Sequence, residues 1–132
     1  MHGLETAIRE FFGTDRPEIV AVYLFGSQAT GMGHARSDID VGILLAHPPS
    51  PTLEGLYLDL EGDLERALGA RVDLVVLNRA PADLVHRVLR DGKLVLERDP
   101  SARIRFEVKA RNEFFDLQPV LHEYRHGPSR NR

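Results

Sequence analysis

VYLFGSQATGMGHARSDIDVGILL, residues 22–45, reads as a strand, a tight polar turn and a second strand, and the rest of the chain reads as its support. The apolar run from Ile19 to Phe25 is unbroken, as in a strand buried on both faces. It stops at Gly26-Ser27. Ten residues later comes Ser37-Asp38-Ile39-Asp40-Val41-Gly42-Ile43. Strand alternation there sets Asp38 and Asp40 on one face and Ile39, Val41 and Ile43 on the other. One face carries charge while the other packs.

Two carboxylates two residues apart on an apolar strand are costly unless a counter-charge or hydrogen bonds meet them. A divalent cation is the natural counter-charge. Mg²⁺ takes one or two carboxylates together with substrate phosphates, so the other half of such a site is a polyphosphate. Gly26-Ser27 suits that half: glycine lets the backbone approach closely, the serine hydroxyl donates, and a helix starting there aims free N–H groups at an anion.

The spaced Gly26-Ser27 and Asp38-x-Asp40 pattern resembles the signature of the nucleotidyltransferase superfamily that includes DNA polymerase β. In its short length the chain resembles the minimal nucleotidyltransferases, antitoxins of two-gene systems whose toxin is a HEPN-domain ribonuclease. Arg71-Val72-Asp73-Leu74-Val75-Val76-Leu77-Asn78-Arg79-Ala80-Pro81 and Val88-Leu89-Arg90-Asp91-Gly92 look like that subgroup too, so the similarity runs from about Ile19 to Arg98. The resemblance implies an α/β single-domain nucleotidyltransferase fold, a small mixed sheet flanked by helices. It also implies transfer of AMP from ATP to a tyrosine hydroxyl of a cognate HEPN toxin, with two Mg²⁺ ions. Asp38 and Asp40 would hold the metals, with Asp73 as the third ligand, and Gly26 and Ser27 would anchor the phosphates. Relatives often carry a basic residue three positions after the serine, where this chain has Thr30. Arg36 lies in the same loop and is the candidate replacement, with Ser37 beside it in the nucleotide-binding set. A non-enzymatic antitoxin that binds its toxin, and nucleotidyl transfer to a small molecule, are the alternatives.

With 132 residues and no room for a separate acceptor domain, residues 1–132 are expected to form one domain, its core at about 17–98. The acceptor is then held by another protein. The net charge of −3 and absence of a long basic run argue against direct nucleic-acid binding. Residues 101–132 alone are basic, with 7 Lys/Arg against 4 Asp/Glu. No cysteine is present, which excludes disulfides and thiolate metal sites and fits a cytoplasmic protein. Neither a signal core nor an apolar run of membrane-spanning length appears, so no membrane partner is expected.

Leu4, Ala7, Ile8, Phe11 and Phe12 follow helical spacing, and Gly13 with Pro17 ends that helix. His47-Pro48-Pro49-Ser50-Pro51 is a loop. Leu53, Leu56, Tyr57, Leu60, Leu64, Ala67 and Leu68 make a helical stripe, and the acidic run Glu54, Asp59, Glu61, Asp63 and Glu65 reads as its solvated face. Gly69 stops this helix. Arg71–Leu77 reads as a strand interrupted by Asp73, which could be held by Arg71 or Arg79 alone; three carboxylates on neighbouring strands are what a two-metal phosphoryl site needs. Pro81 opens a helix with Leu84, Val85, Val88 and Leu89, which Gly92 closes before a strand over Lys93–Glu97.

Residues 100–126 are predicted as a helix, with a flexible tail at 127–132. That helix carries two apolar stripes, Ile104/Val108/Phe115 and Phe106/Ala110/Phe114/Leu117/Leu121, one more than a surface helix needs. The spare stripe, with Phe114 and Leu117 on it, is either a partner surface, the route to a hetero-oligomer, or the face of a helix wedged into the core, which would look the same. Gly26-x-x-x-x-Gly31 lacks the Lys-Ser/Thr of a P-loop, Gly31-x-Gly33 lacks a third glycine, and Phe25 stands where a nucleophile elbow needs glycine. His122-Glu123-Tyr124-Arg125-His126 matches a zinc-protease motif by chance, with no later segment to wall a site. His34 and the other histidines read as surface residues.

Overall fold

The computed structural model describes the backbone of residues 2–13, 16–26, 38–47 and 54–126, and the side chains of 3–13, 16–26, 38–47 and 59–116. The order is α1 (His2–Phe12), β1 (Ile19–Phe25), β2 (Ile39–Leu45), α2 (Glu54–Leu68), β3 (Val72–Val76), a 3₁₀ turn (Leu77–Arg79), α3 (Ala82–Asp91), β4 (Lys93–Glu97) and α4 (Pro100–His126). The sheet runs β3-β2-β1-β4. β1 is antiparallel to both neighbours, and β2 is parallel to β3. The predicted mixed α/β sheet is therefore what forms.

Alternation along the strands gives the sheet two apolar faces. Ile19, Val22, Leu24, Val41 and Ile43 pack against Ile8 and Phe12 of α1 and Leu60 and Leu64 of α2. Val20, Ala21, Tyr23, Phe25 and Leu44 pack against Val85 and Val88 of α3 and Ala110 of α4. Every residue of β1 is buried, as its uninterrupted apolar sequence requires. Burying an Ile, Leu or Phe side chain contributes about 1.5–3 kcal/mol, so these layers dominate the stability.

The edges of the sheet are held by side chains. β3 would expose unpaired N–H groups along its outer side, and Glu65 accepts from Val72 N at 2.9 Å while Glu61 accepts from Leu74 N at 2.9 Å. The acidic run of α2 is thus a solvated face only in part, because two of its carboxylates cap the edge strand. Asn78 extends the ladder beyond β3, accepting from Leu45 N at 2.8 Å and donating to Leu45 O at 3.0 Å. At the other edge the Arg98 guanidinium donates to the carbonyls of Phe12, Arg16 and Ile19, joining the end of α1 to the start of β1.

One helix stripe is corrected. Ala110 is buried, Phe106 packs on the α3 side of the sheet, and Phe114 stacks on His86 of α3 with ring centroids 3.8 Å apart. The stripe containing Phe114 is therefore the intrachain one, while Ile104, Val108 and Phe115 are 50%, 50% and 58% exposed. The side chains of Leu117 and Leu121, the histidines of the 122–126 motif, the loop at 48–51 and the tail at 127–132 lie outside the described residues. Clamping of α4 is polar as well. Tyr23 OH donates to Glu107 Oε2 at 2.8 Å, and Arg103 bridges Glu107 and Glu97. Burial and the nearby Glu107 carboxylate push the Tyr23 phenol above its ordinary pKa, so it stays a neutral donor at physiological pH.

Ala110→Asp should therefore cost ~3 kcal/mol or more by burying an unpaired carboxylate, whereas Val108→Asp should stay within ~0.5 kcal/mol of wild type. Urea denaturation of the two variants checks this, and equal losses would contradict the assignment of the stripes.

Candidate active site

At the end of β1 the chain turns at Gly26 with φ +76°, the left-handed region that glycine alone enters without cost. A Cβ at this position would lie 2.2 Å from Asp40 Oδ2. The missing side chain is thus where the Asp40 carboxylate lies. Pairing of Phe25 with Asp40 in the antiparallel ladder sets this juxtaposition, because it brings the last residue of β1 opposite the first charged residue of β2.

Parallel pairing of β2 with β3 sets Asp40 directly in register with Asp73. Glu65 and Glu61 hold the amides of Val72 and Leu74, the two neighbours of Asp73, so the backbone that carries it is fixed from both sides along the strand. Asp38 is exposed, one residue before β2 begins, and its charge acts on Asp40. The parallel register thus brings Asp40 and Asp73 together, while Asp38 stands exposed two residues before Asp40. Of the sequence-derived site residues, Gly26, Asp38, Asp40 and Asp73 are described. Ser27, Thr30, Arg36, Ser37 and His34, with any helix starting at Ser27, lie outside the described residues.

These groups open into a cavity of about 530 Å³ lined by Phe25, Gly26, Asp40, Asp73, Val75, Leu84, Arg87 and Asp91. The last three come from α3, and the sequence reading missed Arg87 and Asp91. Spacings of 84, 87 and 91 place them on one helical stripe, the signal that could have found them once Val85 and Val88 were assigned to the core. Gly92 lets α3 close onto the sheet: a Cβ there would meet Val88 O at 2.5 Å and Leu24 O at 3.2 Å. Asp91 is tied down by Arg90, whose Nε and Nη2 donate to its two oxygens at 2.9 and 2.8 Å. That pairing draws the Asp91 pKa below its ordinary value.

Asp40 is driven the other way. Burial, then the charges of Asp73 and Asp38, raise its pKa above the ordinary 3.8, and Arg87 opposes them. Mutual repulsion of hard oxygen donors is the condition a divalent cation relieves, so the residues fit Mg²⁺. Among the described residues, Asp38, Asp40 and Asp73 included, no group of three His, Cys, Asp or Glu side chains is placed to hold a metal ion. What the strands supply is the Asp40–Asp73 pair, and Mg²⁺ commonly takes one or two carboxylates and completes its shell with water and phosphate oxygens.

Because the folded protein holds the Asp40 proton more tightly than the unfolded chain, ionised Asp40 lowers stability at neutral pH, and the cost disappears as pH falls through its raised pKa towards 3.8. Asp40→Asn should raise the melting temperature of the metal-free protein at pH 7, with the gain shrinking towards pH 4. Calorimetry across that range reads it directly. Gly26→Ala, by contrast, should lower it at every pH.

Residues 6–101 match the family described as polymerase beta, nucleotidyltransferase. The protein adenylyltransferase MntA of Shewanella oneidensis is 36% identical over 90 residues, 67% of this chain and 62% of that protein, so the chain spans about three fifths of its length. MntA of Thermococcus cleftensis is 36% identical over 84 residues, 64% of this chain and 77% of that protein. A crystal structure of a toxin–antitoxin with AMP-PNP superposes with a TM-score of 0.72 at 27% identity, covering 91% of this chain and 97% of the other. A complex of tri-AMPylated Shewanella oneidensis HEPN toxin with MNT antitoxin gives 0.68 at 26% identity, covering 94% and 98%. With its paired strand carboxylates beneath a left-handed glycine and a family match across most of its length, the chain belongs to the polymerase beta nucleotidyltransferase family.

Proposed function

We propose that this protein is a Mg²⁺-dependent adenylyltransferase that moves AMP from ATP to a tyrosine hydroxyl of a HEPN ribonuclease toxin and thereby acts as its antitoxin. The observation that carries the reading is the register pair Asp40–Asp73 on the cavity wall, with the left-handed Gly26 turn making room for the Asp40 carboxylate. Support for the substrate comes from the similar toxin–antitoxin structures, one with AMP-PNP and one with a tri-AMPylated HEPN toxin.

In this reading Asp38 and Asp40 hold Mg²⁺, and Asp73 completes a second ion's site. Bound Mg²⁺ neutralises phosphate charge and favours ionisation of the attacking hydroxyl. The chain's own residues do the rest. Gly26 lets the backbone lie against the phosphates, with Ser27, Arg36 and Ser37 in the following loop as further nucleotide contacts. Phe25, Val75 and Leu84 supply an apolar wall, and the cavity has room for a nucleotide. The tyrosine oxygen forms a bond to the α-phosphorus, the bond from that phosphorus to the bridging oxygen breaks, and pyrophosphate leaves with the electron pair.

The toxin surface in this proposal is the exposed Ile104/Val108/Phe115 stripe of α4. Apolar side chains of that size on one helix face are a docking feature when a partner covers them. Among the described residues no helix is long and apolar enough to cross a membrane. We place the protein in the cytoplasm with its toxin, and assign it no direct nucleic-acid contact.

Asp38→Asn, Asp40→Asn and Asp73→Asn should each reduce transfer of labelled AMP to the toxin by at least ~100-fold, the loss of ~2.7 kcal/mol or more of charge stabilisation. Activity within tenfold of wild type would remove that residue from the metal site. Asp73→Asn should still bind the toxin, while Val108→Asp combined with Phe115→Asp should lose it and keep the fold. Co-expression decides the biological role: if Asp73→Asn protects cells with no modified toxin present, neutralisation is by occlusion alone.

A further inference from the structure

A nucleotide entering this cavity carries several negative charges into a space already bordered by carboxylates. Asp40 and Asp73 line it, and Asp91 stands at the same wall as α3. In the reading above, the strand carboxylates would hold divalent cations that neutralise phosphate charge from the sheet side. The opposite side faces α3, whose orientation is locked because Val85 and Val88 are buried against the sheet.

The arginines around the site divide by what they hold. Arg90 is forked onto Asp91, Arg98 donates to three backbone carbonyls, and Arg103 bridges two glutamates. Arg87 is exposed, lines the cavity, and among the described residues pairs with no carboxylate at ion-pair distance. It shares the cavity wall with Asp40 and Asp73, which sets its guanidinium on the site side of α3.

We propose that Arg87 binds the outer phosphates of the nucleoside triphosphate from α3, opposite the carboxylate edge. This rests on the adenylyl-transfer reading above and names a residue for it. A guanidinium presents a rigid fork of N–H donors that matches two phosphate oxygens, and mounting it on a packed helix removes much of the ordering cost. Asp91 is held first by Arg90, which forks onto it, and the charge of Arg87 acts on it more weakly from the same helix. Without nucleotide, Arg87 offsets part of the carboxylate repulsion; with nucleotide, the phosphates take over that contact.

Titration calorimetry with AMP, ADP and ATP in the presence of Mg²⁺ tests the assignment. Wild type should gain affinity as phosphates are added. Arg87→Gln should bind AMP as wild type does while losing roughly tenfold or more of the gain for ATP, the loss of charge-assisted hydrogen bonds. Arg87→Lys should recover part of that gain, since an ammonium keeps the charge without the fork. If Arg87→Gln keeps the whole wild-type preference for ATP, the assignment is wrong while the nucleotide reading stands. A uniform loss for all three nucleotides makes Arg87 a structural residue and also overturns it. If wild type itself shows no preference for ATP over AMP, both readings fall together.

Discussion

Two carboxylates that repel each other cannot move apart here, and much of the molecule is explained by that constraint. Asp40 and Asp73 face each other because β2 and β3 run parallel in that register. Slipping the register by one residue would turn every core side chain of a strand to the wrong face, so the repulsion is held in place by hydrophobic burial. Burial first and this repulsion second raise the Asp40 pKa, and positive charge brought to the pair would relieve both.

Support for this pair comes from opposite sides of the sheet by different means. Below it, α1 and α2 bury Ile8, Phe12, Leu60 and Leu64, and the carboxylates of Glu61 and Glu65 reach over to cap β3. Above it, α3 forms the outer wall of the cavity and α4 is clamped through Tyr23, Glu107 and Arg103. Among the described residues, the cavity lies between the ends of β1, β2 and β3 and the outer side of α3, with Gly26, Asp40 and Asp73 on its wall.

Helix α4 does two jobs with its two apolar stripes. Phe106, Ala110 and Phe114 complete the core and meet α3, and Ile104, Val108 and Phe115 remain outside. A solvent-exposed stripe of this kind costs solubility unless it is covered, which connects the fold to the partner proposed for it. The basic excess of residues 101–132 lies on the same segment. Charge there is unlike that of the acidic remainder of the chain.

Local pattern alone determined the strands and the outline of the site. Unbroken apolar sequence made β1 a central strand, the period-2 alternation of Asp38-Ile39-Asp40-Val41 set charge against core, and Gly26 stood at the turn between them. These features depend on neighbours a few residues apart, which a sequence displays directly. What the tertiary structure decided involves partners far apart in the chain. The sequence could not show that Glu61 and Glu65 leave the solvated face to satisfy β3, because a carboxylate on a helix looks the same whichever way it turns. Nor could it rank the stripes of α4, since both are apolar and only docking against α3 and the sheet selects Phe106, Ala110 and Phe114. Arg87 was hidden for the same reason: on an isolated helix it is one more solvated cation, and it becomes part of the site only because burial of Val85 and Val88 turns it towards Asp40 and Asp73.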